Sequence, residues 1–208
     1  TVSSDTTIAS PSAPANTATI TIKKDGSTWS SSGMNVALYN GTTEAYSPIT
    51  ASGATVTFSA VVNGTYNVYA GKNDGAKTTL VDTGVDITAS PTSTAIINYY
   101  TLTLTKGTGI SSVSGAGVYL SNQTASISAT VTSGYTFKCW TVNSGNTPAS
   151  TTAASTTVSM SKATSLTANA AANTVTITIK KDGANWSSSG MNVALYNGTT
   201  VAYAYSTA

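Results

Sequence analysis

Residues Asn16 to Tyr46, NTATITIKKDGSTWSSSGMNVALYNGTTEAY, return 157 residues later as Asn173 to Tyr203, NTVTITIKKDGANWSSSGMNVALYNGTTVAY. Only four of the 31 paired positions differ between the two copies. Solenoid units are about 20–50 residues long, so a period of this length indicates a tandem array whose unit holds more than one small domain. On this basis we divide the chain into a linker at 1–15, a module A at 16–98, a module B at 99–172, and the first part of a second module A at 173–208.

The first fifteen residues, TVSSDTTIASPSAPA, have the small, polar and Pro-containing composition of a linker. A secretory leader combines a basic stretch with an apolar run, and a bilayer-spanning helix needs about 20 apolar residues. The sequence shows neither pattern. We therefore expect no membrane insertion and interpret the chain as a segment of a larger protein.

Strand patterns run through both modules. Apolar residues alternate with Thr over short stretches, which is the period of a half-buried β-strand, and no window has a helical pattern of useful length. The sequence therefore predicts an all-β protein. The predicted strands contain, in module A, Ala18–Ile22, Val36–Leu38, Val56–Ala60, Tyr66–Ala70 and Ala95–Ile97 and, in module B, Leu102–Leu104, Ile127–Val131, Tyr135–Phe137, Val158–Met160 and Leu166–Ala170.

Four dipeptides between these strands have the composition of tight turns: Asp25-Gly26, Asn40-Gly41, Asn63-Gly64 and Asp74-Gly75. Asn, Asp and Gly are the residues that most readily adopt a positive φ, which such turns require. We expect a positive φ at each of the four.

The composition excludes several classes of function. Charged residues make up 8% of the chain and the formal net charge is +2, against about 25% charged residues in an ordinary soluble domain. A nucleic-acid-binding surface needs a cluster of basic residues, so we expect no nucleic-acid partner.

Catalytic and metal-binding chemistry is also poorly supplied. The chain has no His and one Cys, Cys139, which lies in a strand-like stretch. A thiol nucleophile needs a neighbouring base or cation, so we interpret Cys139 as a buried small apolar residue. We expect no enzymatic activity, no cofactor and no metal site.

Module B resembles the divergent internalin-type B-repeat of bacterial surface proteins. The resemblance covers most of 99–170 and rests on the Gly-rich segment from Gly107 to Gly117, the pattern Gly134-Tyr135-x-Phe137-x-x-Trp140, and the closing Leu166-Thr167-Ala168. It implies a small β-grasp-like module with Trp140 in its core.

Module A is similar to the prealbumin-like β-sandwiches of collagen-adhesin B-type stalk domains and carboxypeptidase regulatory-like domains. The similarity rests on the order of the strands and on Asn63-Gly64-Thr65-Tyr66. It implies a stalk or display arm. Some such stalk domains are cross-linked by a Lys–Asn isopeptide bond, for which the candidates here are Lys23, Lys24 and Asn98. The acid that promotes the bond is missing at the expected place, where the chain has Tyr69-Ala70-Gly71.

Two Trp residues occupy the same position of the repeat, Trp29 and Trp186. Each follows an Asp-Gly turn and precedes Ser-Ser-Ser-Gly. One interpretation is a stacking surface for sugar rings, and the other is a plug at the open end of a sandwich with the indole N–H in water.

The partial second module A holds too few strands to build a core alone. Because it nearly duplicates residues 16–46, we hypothesise that it competes for residues 52–98 of a neighbouring molecule by strand exchange. The side chains that would enter the partner are Val175, Ile177, Ile179, Val193 and Leu195.

Three functions of different classes follow from these observations. The first is a structural stalk or fibre segment of a large bacterial cell-surface or extracellular protein, whose partners are neighbouring copies or adjacent repeats. The second is an adhesive module that binds glycans or proteins of a host or of the environment. The third is an accessory module of a secreted enzyme whose catalytic domain lies elsewhere.

Overall fold

The computed structural model describes residues 16–186, 190–197 and 199–207, with the backbone alone at residues 201 and 203–207. Every regular element in these residues is a β-strand, which confirms the predicted all-β class. The predicted linker at 1–15 lies outside the described residues. The chain forms two compact units, and the division falls between Ala172 and Asn173.

The strands are numbered in chain order. Those of the first unit are β1 (Asn16–Lys24), β2 (Ser27–Thr28), β3 (Asn35–Asn40), β4 (Thr43–Thr50), β5 (Thr55–Val61), β6 (Gly64–Gly71), β7 (Leu80–Ala89), β8 (Thr92–Lys106), β9 (Ile110–Ser114), β10 (Gly117–Leu120), β11 (Thr124–Val131), β12 (Tyr135–Ser144), β13 (Ser155–Ser159) and β14 (Thr164–Ala172). Those of the second unit are β15 (Lys180–Lys181), β16 (Ala184–Asn185), β17 (Asn192–Asn197) and β18 (Thr200–Thr207).

A first hydrophobic core lies between two sheets. One is the four-stranded sheet β4-β3-β6-β7, and the other is the part of a seven-stranded sheet that contains β5, β1 and β8. In β1, Ala18, Ile20 and Ile22 are fully buried while the Thr residues between them are half-buried, because alternate side chains of a strand point to opposite faces. Leu38 and Val68 meet them from the four-stranded sheet. Two packed sheets of this kind form a β-sandwich.

A second hydrophobic core lies between the remainder of the seven-stranded sheet, which includes β14 and β12, and the three-stranded sheet β13-β11-β9. Its largest side chain is Trp140, which is 2% exposed. The indole N–H donates a hydrogen bond to the carbonyl oxygen of Ala153 over 3.1 Å, so the buried polar atom of the ring is satisfied.

Strand β8 contributes to both cores. Ala95, Ile97 and Tyr99 pack in the first core, and Leu102 and Leu104 pack in the second. The first three have odd numbers and the last two have even numbers, so the two cores lie on opposite faces of one continuous strand.

This strand corrects the predicted strand set. The sequence pattern predicts separate strands at Ala95–Ile97 and Leu102–Leu104, whereas these residues belong to one strand of 15 residues. Tyr99 and Leu120, which a division at 98/99 assigns to module B, pack in the first core. At Tyr99 and Tyr100 the core-facing positions change from odd-numbered to even-numbered residues, which marks a change of buried face within the strand.

The neighbours of β8 follow a specific order along its two edges. Tyr99 pairs with both β1 and β10, and Leu102 pairs with both β10 and β14. A strand residue has one neighbour on each edge, so β1 and β14 lie on the same edge of β8 and β10 lies on the other. Both β1 and β14 run parallel to β8, beside residues 92–99 and 102–106 respectively. The first and last strands of the unit therefore lie end to end along one strand.

Two of the four predicted turns have the expected backbone. Asp25 and Gly26 have φ values of 52° and 86°, and Gly41 has a φ of 62°. The prediction is wrong at Asn63-Gly64 and Asp74-Gly75, where neither residue has a positive φ. Gly64 begins β6 directly, and at the second site the side chain of Asn73 accepts a hydrogen bond from the Gly75 N–H over 3.0 Å, so the turn is closed by a side chain.

The second unit shows the repeated sequence without its partner strands. Residues 173–179 lie outside any strand, although their counterparts form most of β1. Two hairpins follow, one from β15 and β16 and one from β17 and β18. The chain holds a single copy of residues 52–98, which supply β5 and β8 as the neighbours of β1. A nearly identical sequence therefore forms a long strand in the first unit, where its long-range partners are present, and not in the second.

Candidate functional site

The region with the most specific polar contacts is the junction of the two cores, at residues 99–102 of β8. Asp25 lies at the end of β1, where the gap between β1 and β14 leaves this edge of β8 without a partner strand. Its carboxylate accepts hydrogen bonds from the Thr101 N–H over 2.9 Å and from the Thr101 hydroxyl over 2.5 Å. The Asp25 N–H donates to the carbonyl oxygen of Tyr99 over 3.0 Å. One residue thus replaces the missing strand across the gap.

The turn that follows β1 explains why Asp25 can do this. Asp25 and Gly26 both have positive φ, which is the backbone of a type I′ turn between β1 and β2. Asp tolerates this conformation better than most residues because its short side chain finds local or nearby hydrogen-bond partners. The turn therefore places a carboxylate beside β8 without a steric penalty from a larger side chain.

The opposite edge of the junction is held by β10 and the segment between β6 and β7. The Leu120 N–H donates to the carbonyl oxygen of Lys72 over 3.1 Å, and the Asp74 N–H donates to that of Val118 over 3.0 Å. Tyr119 forms an antiparallel bridge with Asn73. Burial, and then the nearby Asp74 carboxylate, raise the pKa of Tyr119.

Tyr99 is the central side chain of the junction on the side of the first core. It is fully buried, and its hydroxyl group donates a hydrogen bond to the carbonyl oxygen of Gly71 over 2.6 Å. Burial raises its pKa above the ordinary value for a tyrosine, because the phenolate would be charged in an apolar environment.

The two Trp residues of the repeat, for which a sugar-stacking surface and a plug were the alternatives, have different surroundings. Trp29 is half-buried, with its ring at 5.3 Å from that of Tyr99 in an edge-on arrangement, and Lys24 Nζ lies 5.4 Å from its ring centroid. Trp186, in the second unit, is 43% exposed and has Lys181 Nζ at 5.9 Å from its ring centroid. Trp29 therefore closes one end of the first core, whereas Trp186 leaves much of its ring in solvent.

The isopeptide candidates lie on neighbouring strands. Lys23 of β1 is the register partner of Asn98 of β8, and Lys24 is that of Tyr99. Lys23, Lys24 and Asn98 are half-buried rather than enclosed in a core. The structure thus brings Lys23 and Asn98 side by side on one face of the sheet, while Lys24 is directed to Trp29.

A patch on the four-stranded sheet was not found from the sequence. The rings of Tyr39 and Tyr69 stack with 4.0 Å between their centroids. The Asn67 amide donates to the Asp86 carboxylate over 2.8 Å, and burial followed by the charge of Glu44 raise the pKa of Tyr39. The alternation in β3 and β6 indicates which of their side chains face outward. It does not show that Tyr39 and Tyr69 lie side by side, because that depends on the register between the two strands.

The strand-exchange residues lie in the second unit. Val175 is 69% exposed and Ile177 is 49% exposed, whereas their counterparts Ala18 and Ile20 are fully buried. Ile179 is half-buried, as are Val193 and Leu195 in β17. The second unit therefore presents an apolar surface that the first unit encloses.

Other kinds of site find little support in the part of the chain that the structure describes. Residues 16–186, 190–197 and 199–207 contain no group of three or more His, Cys, Asp or Glu side chains placed to hold a metal ion. Within the same residues there is no helix of the length and apolarity needed to cross a membrane. Cys139 is half-buried beside a bulge in β12, rather than buried as predicted.

Comparison with known families gives a match to part of the chain. Residues 100–174 match the divergent InlB B-repeat domain, which is about a third of the chain. The match supports the resemblance of module B and indicates a repeat module of a surface protein, with the non-catalytic role and extracellular or cell-surface location that such a module suggests. No match supports the similarity of module A to collagen-adhesin stalk domains, which stays a prediction. The comparisons with curated proteins and with solved structures each give no match.

Proposed function

We propose that the chain is a structural stalk or fibre segment of a bacterial cell-surface or extracellular protein. The observation that carries the proposal is the position of the B-repeat match, residues 100–174, which follows residues 16–46 and ends at the start of their near-identical second copy, residues 173–203. Such an arrangement suits a tandem array, in which the number of units sets the length.

The construction of the first unit supports this role. Its two cores share β8, and Asp25 and β10 close the two edges of the junction. A stalk must hold its successive modules in a defined order under load, and a shared strand joins two modules more firmly than a flexible linker does.

The proposal is tested by locating the protein on the cells that make it. An antibody against residues 16–172 should label intact cells, and brief protease treatment of those cells should remove the labelling. A cytoplasmic protein serves as the control for cell integrity. Labelling that requires cell lysis would refute an extracellular stalk.

We further propose that the second unit assembles with neighbouring copies by strand exchange. The observation that favours this is the exposure of Val175 and Ile177 at positions where the first unit buries Ala18 and Ile20. In the exchanged form, residues 173–181 take the place of β1 between β5 and β8 of the next molecule.

The energetics predict that this exchange needs a high protein concentration. The incoming strand replaces a nearly identical one, so the free energy of the new strand pairing almost equals that of the old. The resident β1 is tethered to its site, and a tethered segment acts at an effective concentration that reaches about the millimolar range. Size-exclusion chromatography with light scattering should therefore show oligomers of the full chain that increase with concentration, and a 1–172 truncation should stay monomeric. A full chain that is monomeric across the same range would refute the exchange.

A further inference from the structure

The two ends of the first unit emerge at opposite ends of β8. Thr17, at the start of β1, pairs with Thr92 at the start of β8, and Ala168 of β14 pairs with Lys106 at its end. Both β1 and β14 run parallel to β8. Tension applied to the chain before β1 and after β14 therefore pulls these two strands in opposite directions along the axis of β8.

We propose that β8 is a splint that carries tension through the first unit in shear. The term splint here means residues Thr92–Lys106, paired with β1 along one half and with β14 along the other. β1 and β14 do not pair with each other, and the chain between them runs through the whole folded unit. The load therefore passes from β1 to β8, and from β8 to β14, through the lateral hydrogen bonds between these strands. This inference rests on the proposed stalk function, because only a segment between an anchor and a distal part experiences such tension.

The direction of loading decides how strongly the strands resist. Hydrogen bonds of a parallel pair are spaced evenly along the strands, and a pull along the strand axis loads all of them together. The pairing of β1 with β8 extends over eight register positions, Thr17–Lys24 with 92–99. A pull across the strands would instead break these positions one after another from one end.

Across the gap between β1 and β14 the covalent backbone of β8 carries the tension, and two features add lateral contacts to β8 at this point. On the edge where the gap lies, Asp25 binds the N–H and hydroxyl of Thr101 and donates to Tyr99. On the other edge, β10 pairs with residues 99–102, which spans the gap. The hydrogen bonds of Asp25 thus extend the lateral contacts of β1 as far as Thr101, next to Leu102, where β14 begins to pair with β8.

The first test compares two directions of pulling by single-molecule force spectroscopy on the full chain. Both arms use the Cys139→Ser background, so that the Cys introduced in the second arm is the only thiol in the chain. One arm is pulled from the two termini, and the other from the N-terminus and Pro91→Cys, an exposed residue beside the start of β8. The terminal arm should unfold at a several-fold higher force, because the second arm opens β1 from β8 position by position. Equal forces in the two arms would overturn the proposal.

The second test uses the repeat as its own control. Asp25→Gly removes the carboxylate, and glycine accepts the positive φ of the turn. Asp182→Gly makes the same change at the counterpart in the second unit, which has the same φ of 52°. We expect Asp25→Gly to lower the unfolding force of the first unit and Asp182→Gly to leave it unchanged. If the two variants lower it equally, or neither does, Asp25 has no such role.

A variant that fails to fold would give no force to compare, so Thr101→Val provides a milder change. It removes only the hydroxyl donor to Asp25 and keeps a residue that favours strands. Its unfolding force should lie between those of the wild type and Asp25→Gly, and a value at or above the wild type would count against the role of Asp25.

The outcome is separable from that of the proposed function. A chain that is found on the cell surface but unfolds at the same low force in both pulling directions overturns the splint and leaves the surface location intact. A chain that resists terminal pulling but is found only inside cells keeps the splint and refutes the stalk.

Discussion

Tyr99 and Gly71 are joined by a hydrogen bond of 2.6 Å, from the hydroxyl group of the tyrosine to the carbonyl oxygen of the glycine. The bond links β8 to the end of β6, which belongs to the opposite sheet of the first core. Tyr99 is fully buried, so its hydroxyl group has lost water and depends on this one acceptor. The hydrogen bond therefore joins β8 to the four-stranded sheet across the first core.

The raised pKa of Tyr99 predicts that the protein loses stability in alkali. A folded-state pKa above the unfolded value of about 10 means that the folded state holds the proton more tightly. The contribution is complete below pH 10 and is lost as the pH rises above it. The free energy of unfolding should fall there, with Tyr99 contributing up to about 1.4 kcal/mol per pH unit.

Tyr99→Phe isolates this contribution. At about pH 8 the variant should be less stable by roughly 0.5–1.5 kcal/mol, because the hydrogen bond to Gly71 is lost. Above about pH 10 it should lose stability less steeply than the wild type, since the titrating group is gone. Urea unfolding at a series of pH values measures both effects, and parallel pH curves for the two proteins would contradict the assignment.

Gly71→Ala is predicted to destabilise the first core at the position where Gly71 accepts the hydrogen bond from Tyr99. A Cβ there would collide with the backbone carbonyl of Lys77 and with Met34 Sδ, and the carbonyl cannot move aside easily. Gly71→Ala should cost about 1–3 kcal/mol of stability, as overpacking in a core does. Gly53→Ala is the control, because a Cβ at Gly53 meets nothing within 4 Å. Equal melting temperatures for the two variants would refute the steric argument.

The repeat allows a matched comparison of one residue in two environments. Ile20 is fully buried in β1, and its counterpart Ile177 is 49% exposed. Ile20→Ala should destabilise the first unit by about 2–5 kcal/mol through lost burial and a cavity. Ile177→Ala should change the stability by less than about 0.5 kcal/mol in dilute solution. Thermal or urea unfolding of the two variants checks this, and a similar cost at both sites would mean that Ile177 is enclosed in solution.

The fold class was predictable because alternating Thr and apolar residues are a local signal. The strands β4 and β7 were not predicted, and both are edges of the four-stranded sheet. An edge strand has no partner strand on one side, so its hydrogen-bonding pattern can be interrupted there. This is why β4 accepts Pro48 and β7 accepts a positive φ at Gly84. Their sequences therefore lack the regular pattern on which strand prediction depends.

The junction was not predictable because its contacts are distant in sequence. Asp25 and Thr101 are 76 residues apart, and nothing near either residue indicates that they meet. The reversal at Tyr99 and Tyr100 was visible but ambiguous, since the same pattern arises at a boundary between two strands and within one strand that changes its buried face. Only the pairing of β8 with β1, β10 and β14 distinguishes these cases.

The shared strand predicts that the two cores unfold together. Unfolding the second core alone would release residues 102–106 of β8 and also β10, which pairs with the part of β8 that carries Tyr99. The first core would then lose Leu120 and the backbone hydrogen bonds to Lys72 and Asp74. Partial unfolding of either core therefore exposes apolar surface in the other, which favours a single cooperative transition.

Native-state amide hydrogen exchange measures this cooperativity. The N–H groups of Ile97 and Thr103, which face β1 and β14 respectively, should exchange with the same free energy of opening as the global unfolding. Leu38→Ala in the first core and Ile127→Ala in the second should lower both values by equal amounts, although each lies in only one core. A variant that lowers protection in its own core alone would show that the modules unfold independently and that β8 does not couple them.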